Sequence, residues 1–327
     1  MELPGTSPSS SKSTVTAIPA WASLFALQDL LPLGYLVVVW ALIRRAGGSV
    51  LHGSNIRHVY ASAALAVFGA IFARGAVDVP VKVRTVVYRL SLSGVVLVNY
   101  LMLRDVLPLV RPDHLDAALH QIDLALFSVE PAVWMQRFNV RPVVEYFAFF
   151  YYSYFGICIT YLLLFVYVVR RGRHTVEFTI GTVLVYCLGQ LGYMAVPAYG
   201  PGTALADAFT APIQGGFFWG CVTRAVAAGG AMKDVFPSLH TAAPVWFTLF
   251  AFHVARSDRR FRALAWVTAF FAANIIFSTM FLRWHYAIDV VAGLVLASTV
   301  GHVAPRLARW DETRRRRAGL PGAWAFT

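Results

Sequence analysis

The sequence predicts an all-α membrane protein, and two observations lead to this fold class. Hydrophobic residues make up 58% of the 327 positions and charged residues only 13%. A soluble domain carries about a quarter charged residues, which cover its surface, so this composition excludes a soluble globular fold. Crossing a bilayer core of about 30 Å takes roughly 20 apolar residues of helix, and several stretches reach this length. The chain is therefore predicted to be a polytopic transmembrane helical bundle.

The apolar stretches predict about eight membrane spans. They lie at residues 21–43, 58–77, 86–110, 143–169, 177–197, 238–256, 262–282 and 286–305. Residues 1–18 are polar and rich in serine, and we interpret them as a disordered N-terminal tail without a cleavable signal peptide. We then expect N-terminal transmembrane segments at 19–85, a six-helix transmembrane core at 86–308 and a basic cytoplasmic tail at 309–327.

The segment at 112–140 differs from the spans because polar side chains interrupt its apolar positions. These side chains are His114, Asp116, His120, Asp123 and Glu130. A segment of alternating apolar and charged character suits the boundary between lipid and water better than the hydrocarbon interior. We expect it to lie along the membrane surface.

Clusters of arginine between the spans explain the net charge of +12 and predict the orientation of the chain. They follow the fourth, sixth and eighth predicted spans, and the positive-inside rule makes them cytoplasmic. Their members are Arg170, Arg171, Arg173, Arg256, Arg259, Arg260, Arg262, Arg306, Arg309 and Arg314 to Arg317. The loop at 197–236 is then outside. Since basic loops account for the charge, we expect no nucleic-acid partner.

One group of arginines conflicts with this orientation. Eight complete spans place Arg44, Arg45 and Arg57 outside, against the positive-inside rule. Either the first or the second hydrophobic segment does not fully cross, or these arginines are tolerated on the outer side.

Aromatic residues crowd the outer end of the fourth predicted span. They are Tyr146, Phe147, Phe149, Phe150, Tyr151, Tyr152, Tyr154 and Phe155. An interfacial belt combined with helix packing explains such a cluster. The alternative is that these side chains form a wall of a groove for a lipid substrate.

Three polar clusters share one depth and one predicted side of the membrane. They are PAYGP at 197–201, FPSLHT at 236–241 and RWHYAID at 283–289, each at one end of an apolar span. Polar and ionisable groups are costly in a bilayer, so those at the ends of spans are candidates for function.

The third cluster contains the elements of a nucleophilic histidine. His285 and Asp289 are four residues apart and so share a helix face. A carboxylate one turn away can accept one imidazole N–H and leave the other nitrogen as nucleophile. Arg283, just before this helix, offers a planar donor group suited to phosphate. The ordinary alternatives are packing histidines and an aspartate that ties helices together.

The second cluster complements the third with a proton donor. Ser238 can cap a helix whose free N–H groups face an anion, and His240 lies in its first turn. His240 is then placed to protonate a leaving oxygen. Together the clusters predict a metal-free phosphoryl-transfer site. The other candidate phosphate contacts are Tyr199, Gly200 and Lys233.

FPSLH followed by RWHYAIDVVAG resembles the second and third motifs of the type 2 phosphatidic acid phosphatase superfamily. Because Ser-Leu-His stands where Ser-Gly-His is usual, the chain is more similar to the branch of inositol phosphorylceramide synthases and their bacterial relatives. The similarity covers about residues 112 to 305, with Asp123, Pro131 and Trp134 in the surface segment. It implies a phosphohistidine nucleophile at His285, with Asp289 as its partner and His240 as general acid. It also implies a six-helix core whose active site faces away from the cytoplasm.

Two features depart from the superfamily pattern. The usual first motif, a Lys followed seven residues later by Arg-Pro, is absent, and PAYGP stands in its place, as in the narrower branch. The third motif usually has Ser-Arg before the His, whereas Ser278 and Thr279 occupy those positions. Arg283 follows Thr279 by four residues, so on a continuous helix its guanidinium would replace the missing arginine. Further basic candidates are Arg141, Arg224 and Lys233.

These observations predict an integral membrane phosphotransferase or phosphatase, acting on a lipid phosphate or phospholipid in a bacterial plasma membrane. With water as acceptor it is a phosphatase; with an alcohol or lipid it is a synthase, and the narrower resemblance favours transfer. A transporter or scramblase is the alternative, although no broken helix pair lies near the midplane. We expect no cofactor and no metal. His240, His285 and Asp289 match no helical zinc motif, and the three cysteines form no CxxC pair.

Overall fold

Helices form nearly all the regular structure of the protein. The computed structural model describes residues 24–47, 50–75, 78–168 and 172–324, so the predicted N-terminal tail, Arg170 and Arg171 lie outside the described residues. The helices are α1 (Leu27–Ala46), α2 (Val50–Arg74), α3 (Val81–Val110), α4 (Asp116–Phe127), α5 (Pro131–Met135), α6 (Arg141–Leu163), α7 (Arg173–Ala195), α8 (Pro201–Ala204), α9 (Phe217–Gly229), α10 (Leu239–Ala255), α11 (Phe261–Phe281) and α12 (Ala287–Arg317). Among the described residues the only β-contact is an isolated bridge between Ala198 and Asp234. The predicted all-α class is confirmed.

Each predicted span corresponds to one helix, although the ends differ by several residues. Seven of the described helices are long and apolar enough to cross a membrane, namely α1, α2, α3, α6, α7, α11 and α12. The sixth predicted span is α10, an apolar helix of 17 residues that is shorter than the other seven. The chain is an integral membrane protein. We expect α10 to span with the others because it packs against α7, α11 and α12.

The last helix continues well beyond the predicted end at residue 305. α12 extends as one helix to Arg317 because contacts with the start of the chain hold its basic end. Arg315 is buried and donates to the Phe25 carbonyl at 2.9 Å and to the Pro321 carbonyl at 2.8 Å. Asp311 binds Arg314 at 2.7 Å on the same helix. The predicted basic tail is therefore helical over much of its length.

The first two helices form a complete antiparallel pair. The start of α1 contacts the end of α12 through the Leu27 N–H and the Asp311 carboxylate, at 3.3 Å. Asp29 in α1 binds Arg74 at the end of α2, at 2.7 Å with both side chains buried. With 20 residues at about 1.5 Å each, α1 carries Arg44 to the other end of the bundle. The fold therefore places Arg44 at the end of the bundle opposite the basic end of α12, which is the arrangement that conflicts with the positive-inside rule.

Small residues allow close approach of the helices around α10. A Cβ atom at Gly189 of α7 would lie 2.5 Å from a Leu239 methyl carbon, and one at Gly293 of α12 would lie 2.6 Å from the Ser238 carbonyl oxygen. Glycine at such positions lets two helix backbones approach each other. The first turn of α10 is therefore held between α7 and α12.

Candidate active site

The second and third polar clusters meet at one end of the bundle. The His285 and His240 ring centroids are 6.2 Å apart. His285 Nδ1 lies 3.4 Å from Asp289 Oδ2, and both side chains are buried. The same carboxylate oxygen accepts the Tyr286 N–H at 2.9 Å, which fixes it at the start of α12. Two imidazoles thus lie close enough to contact one small group, and one of them has a carboxylate partner.

The start of α10 is fixed by its cap and by α12. Ser238 is the N-cap, and its hydroxyl accepts the Thr241 N–H at 3.2 Å. The Ser238 N–H donates to the Asp289 carbonyl oxygen at 3.0 Å. These contacts join the two helix starts and set the separation of His240 from His285.

Two tyrosines of α6 enclose the His240 ring. Tyr151 stacks on it with a centroid distance of 4.5 Å, and the Tyr154 centroid lies 4.2 Å away. His240 Nε2 is buried and has no hydrogen-bond partner among the described residues. Part of the aromatic cluster on the fourth predicted span therefore forms the wall beside this histidine.

His285 is neutral at physiological pH in this environment. It lies between α11 and α12, and burial lowers the pKa of His285 to about 3, although a hydrogen bond to the Val235 backbone acts in the opposite direction. A neutral imidazole keeps a lone pair on one ring nitrogen. That lone pair is what a nucleophile requires.

Buried polar atoms without partners gather in these clusters. Besides His240 Nε2, they include Thr241 Oγ1, Trp284 Nε1 and Asp289 Oδ1, and none has a partner in the described part of the chain. Buried polar groups are usually hydrogen-bonded, so unpaired ones indicate a strained, functional or solvent-bridged position. Two of these four atoms belong to groups that can take up or give a proton, His240 and Asp289. The other two, on Thr241 and Trp284, can donate hydrogen bonds, and all four lie in the second and third polar clusters.

Two of the predicted phosphate contacts already have a carboxylate partner. The Tyr199 N–H lies 3.0 Å and the Gly200 N–H 2.9 Å from oxygens of Asp116. The Tyr286 hydroxyl donates to the same carboxylate at 3.0 Å. Gly200 has φ = 88°, and a Cβ there would lie 2.3 Å from the Trp284 carbonyl oxygen. The PAYGP segment therefore packs against the His285 loop, with its N–H groups turned to Asp116.

The predicted basic contacts are also engaged with protein. Lys233 is buried, and its ammonium group donates to the carbonyl oxygens of Arg111, Pro112 and Asp113. It therefore joins the end of α3 to the loop before α10.

Arg283 does not occupy the position that a continuous helix would give it. α11 ends at Phe281, and Arg283 has φ = 65°, so the expected shared helix face with Thr279 does not form. Its guanidinium lies 3.9 Å from the Phe209 ring centroid and donates to the Ala211 carbonyl at 3.0 Å. Burial lowers the pKa of Arg283. The turn that ends α11 directs this side chain to the loop before α9.

The surface segment contributes more to this region than its sequence indicated. Asp123 on α4 is buried and accepts the N–H groups of Ala287 at 2.6 Å and Ile288 at 2.8 Å. It caps the N-terminus of α12, on which Asp289 lies. Asp116, His120 and Asp123 are spaced as one helix face, and this was the signal that could have identified them.

A cavity of about 600 Å³ opens beside His240, between α3, α6, α7, α9 and α10. Its lining is mostly apolar and includes Leu97, Tyr152, Tyr154, Phe155, Phe178, Val183, Ala225 and Phe247. Asp234 also lines it and accepts from the Tyr100 hydroxyl at 3.3 Å. Burial raises the pKa of Asp234 to about 7. An elongated apolar group could occupy this space with a polar end near His240.

Metal-ligand geometry occurs elsewhere in the described residues. His174, Glu177 and His253 place one ligand atom each within 4.8 Å of one another. Among the described residues, His240, His285 and Asp289 form no such group.

The comparisons with known proteins agree with the two motifs. The family model of the PAP2 superfamily matches residues 117–302, more than half of the chain and a range containing both histidines. No curated protein and no solved structure matches the sequence. The chain therefore belongs to the PAP2 superfamily, a membership that indicates lipid phosphatase or phosphotransferase activity.

Proposed function

We propose that the protein transfers a phosphoryl-bearing group from a lipid donor through a covalent intermediate on His285. The observation that carries this proposal is the paired placement of His285 and His240, 6.2 Å apart, with Asp289 behind His285 and an apolar cavity beside His240. One neutral imidazole supplies the nucleophile and the other faces the leaving group. No step of this scheme requires a metal ion.

In the first half-reaction, His285 forms a bond to phosphorus. Asp289 accepts a hydrogen bond from the Nδ1–H group of His285, so Nε2 carries the attacking lone pair. As the nitrogen–phosphorus bond forms, the bond from phosphorus to the leaving oxygen breaks, and His240 gives its proton to that oxygen. The negative charge of a phosphate between the rings favours the protonated form of His240.

The second half-reaction reverses these roles. A water or alcohol oxygen attacks phosphorus and loses its proton to His240, while the bond from phosphorus to His285 breaks. The products are a neutral His285 and a protonated His240, which is the starting state. The acceptor alone decides whether the protein hydrolyses or transfers.

For phosphate binding, the unpaired donors are better placed than most of the groups proposed from the sequence. Thr241 Oγ1 and Trp284 Nε1 belong to the two histidine motifs and have no partner among the described residues. We assign them to the phosphate oxygens, with Arg283 adding positive charge nearby. The other groups then act by fixing the loops, since the donors of Tyr199, Gly200 and Lys233 and the backbone N–H of Ser238 contact protein groups.

The cavity supports a lipid as the substrate. Its volume of about 600 Å³ and its apolar lining suit a hydrocarbon chain, and it reaches His240. The inositol phosphorylceramide synthase branch is the model for transfer because FPSLH and PAYGP stand in place of the usual motifs. We propose a bacterial plasma-membrane location, with the active site outside, from the arginine clusters at the opposite end of the bundle.

A substrate with a good leaving group tests the assigned roles. With a lipid phosphate, both His285→Ala and His240→Ala are expected to lose activity, His240→Ala on the order of a hundredfold or more. A nitrophenyl phosphate needs little protonation of its leaving group. His240→Ala should therefore regain much of its activity on this substrate, and His285→Ala none.

The reverse pattern would show that the acid and the nucleophile are exchanged. Full activity of both variants on the lipid phosphate would refute a catalytic role for the pair. Asp289→Asn should lose activity on both substrates, as His285→Ala does, but to a smaller extent. The amide can hold the His285 ring but favours the wrong tautomer.

A further inference from the structure

A second histidine cluster lies at the other end of α10. Glu177 of α7 is buried, and its Oε2 atom is 3.1 Å from His174 Nδ1 and 3.1 Å from His253 Nε2. The other oxygen, Oε1, accepts from Arg173 at 2.7 Å. Along α10, His253 is 13 residues from His240, about 20 Å at the rise of an α-helix, so this cluster is separate from the candidate active site.

The hydrogen-bond chain around His174 leaves a lone pair directed at the carboxylate. The Ser257 hydroxyl donates to the Val254 carbonyl at 3.0 Å, so its oxygen accepts from His174 Nε2 at 3.3 Å. When the ring proton is on Nε2, His174 Nδ1 is an acceptor that faces the Glu177 Oε2 atom at 3.1 Å. A cation, either a proton or a metal ion, then joins these two atoms.

The two histidines are accessible although the carboxylate is not. The side chains of His174 and His253 are 37% and 36% exposed, and that of Glu177 is 1% exposed. An ion can therefore reach the imidazole nitrogens from water, and a water molecule can complete its coordination. The buried glutamate supplies a fixed anionic ligand.

We propose that His174, Glu177 and His253 form a binding site for a divalent transition metal, zinc above all. Two histidines and one glutamate with an open fourth position are a known zinc ligand set. Around a tetrahedral zinc ion the ligand atoms are about 3.3 Å apart, close to both 3.1 Å contacts. Imidazole nitrogen favours zinc over magnesium or calcium. The hydrogen bond that His174 Nε2 donates to the Ser257 oxygen orients the ring, as outer partners of metal-bound histidines do.

Such an ion would join the start of α7 to the end of α10. Arg173 places a positive charge at the site, and it binds the Glu177 oxygen that the histidines do not face. Metal and arginine can thus share one carboxylate, each on its own oxygen. The metal fixes the end of the helix that carries His240 at its other end, without contacting the phosphoryl group.

Equilibrium dialysis of the full-length protein in detergent, after chelator treatment, tests the site with zinc chloride as the probe. The native chain should bind one more zinc ion than His253→Gln or His174→Gln, or bind it at least tenfold more tightly. Zinc should also raise the thermal unfolding temperature of the native chain, and magnesium should not. The matched control is His302→Gln, because His302 is an exposed histidine of α12 that contacts only its own helix carbonyl among its described hydrogen bonds.

Cobalt(II) provides an independent readout if one variant fails to fold. The native chain should show the intense visible absorption of four-coordinate cobalt, and His302→Gln should keep it. Equal zinc binding by the native chain and a folded His174→Gln or His253→Gln would overturn the proposal. So would the absence of zinc binding and of the cobalt spectrum in the native chain.

Discussion

The two ends of α10 carry the same kinds of residue in opposite states. At its start, the neighbouring His285 and Asp289 are buried, His240 is partly buried, and the buried atoms His240 Nε2 and Asp289 Oδ1 lack partners in the described structure. At its end, His253 and His174 are half exposed, and both bind the one buried carboxylate of Glu177. The start opens on an apolar cavity, whereas the end adjoins the arginine-rich loop before α11.

Under the two proposals, this difference distinguishes a catalytic site from a metal-binding site. Unpaired buried atoms cost free energy in the empty protein, and a substrate that pairs them recovers it. A fully paired cluster gains nothing from a neutral ligand, but it can exchange its protons for a metal ion. The presence of histidines alone therefore does not indicate what a site does. The burial of their side chains and the hydrogen bonds that they make are more informative.

Removing one histidine from each end gives the largest expected contrast. His240→Gln should lower turnover of a lipid phosphate on the order of a hundredfold or more, because the leaving oxygen loses its proton donor. His253→Gln should change the same turnover by less than about threefold when the variant is as stable as the native chain. Initial rates on folded protein, checked by size-exclusion profile, measure both. Similar losses in the two variants would remove the proposed distinction between the ends.

Filling the cavity should affect substrate binding more than chemistry. Ala225→Phe on α9 places a ring in the lining, so KM for a long-chain lipid phosphate should rise about tenfold. Nitrophenyl phosphate has no chain, and its KM should stay unchanged. Ala227→Phe on the same helix is the control, because Ala227 is exposed and does not line the cavity. A rise in KM that is equal for both substrates would indicate a distorted site instead.

Asp234 should make the stability of the cavity end depend on pH. Its pKa is 3.8 in a model compound and about 7 in the fold, so the folded state holds an extra proton between these values. Stability relative to Asp234→Asn should therefore fall as pH rises from 4 to 7 and level off above 7. The unfolding temperature of the native chain, measured relative to that of Asp234→Asn, should fall by a few degrees over this range. Asp207→Asn, at an exposed position, is the control, and a flat difference for Asp234→Asn would contradict a raised pKa of the Asp234 carboxyl.

The spans and the histidine pair could be predicted from the sequence because each has a strong local signal. Apolar length identified eight helices, and the four-residue spacing of His285 and Asp289 predicted their contact, although α12 begins at Ala287 and His285 precedes it. The superfamily resemblance is confirmed, and the narrower synthase branch stays a prediction. Helix ends were less well predicted, as at α12, where tertiary contacts of Arg315 extend the helix beyond the apolar stretch.

The contacts of the phosphate-binding candidates could not be predicted because they depend on distant partners. Asp116 lies more than 80 residues from Gly200, and nothing local shows that it binds the Gly200 N–H. Lys233 is likewise directed to carbonyl groups over a hundred residues away. The predicted span ended at residue 282, within one residue of the end of α11, but the sequence did not show the direction of the turn that follows, and this turn sets the position of Arg283.

The most direct test of the account is to identify the covalent intermediate. The native protein is mixed with a lipid phosphate labelled at phosphorus, quenched in milliseconds to seconds in alkaline detergent, and digested for mass spectrometry. The account predicts an acid-labile phosphoryl group on the peptide containing His285. It also predicts the same label in His240→Ala when labelled nitrophenyl phosphate is the donor, and none in His285→Ala with either donor. Label that persists in His285→Ala, or that maps to another residue, would contradict the central claim.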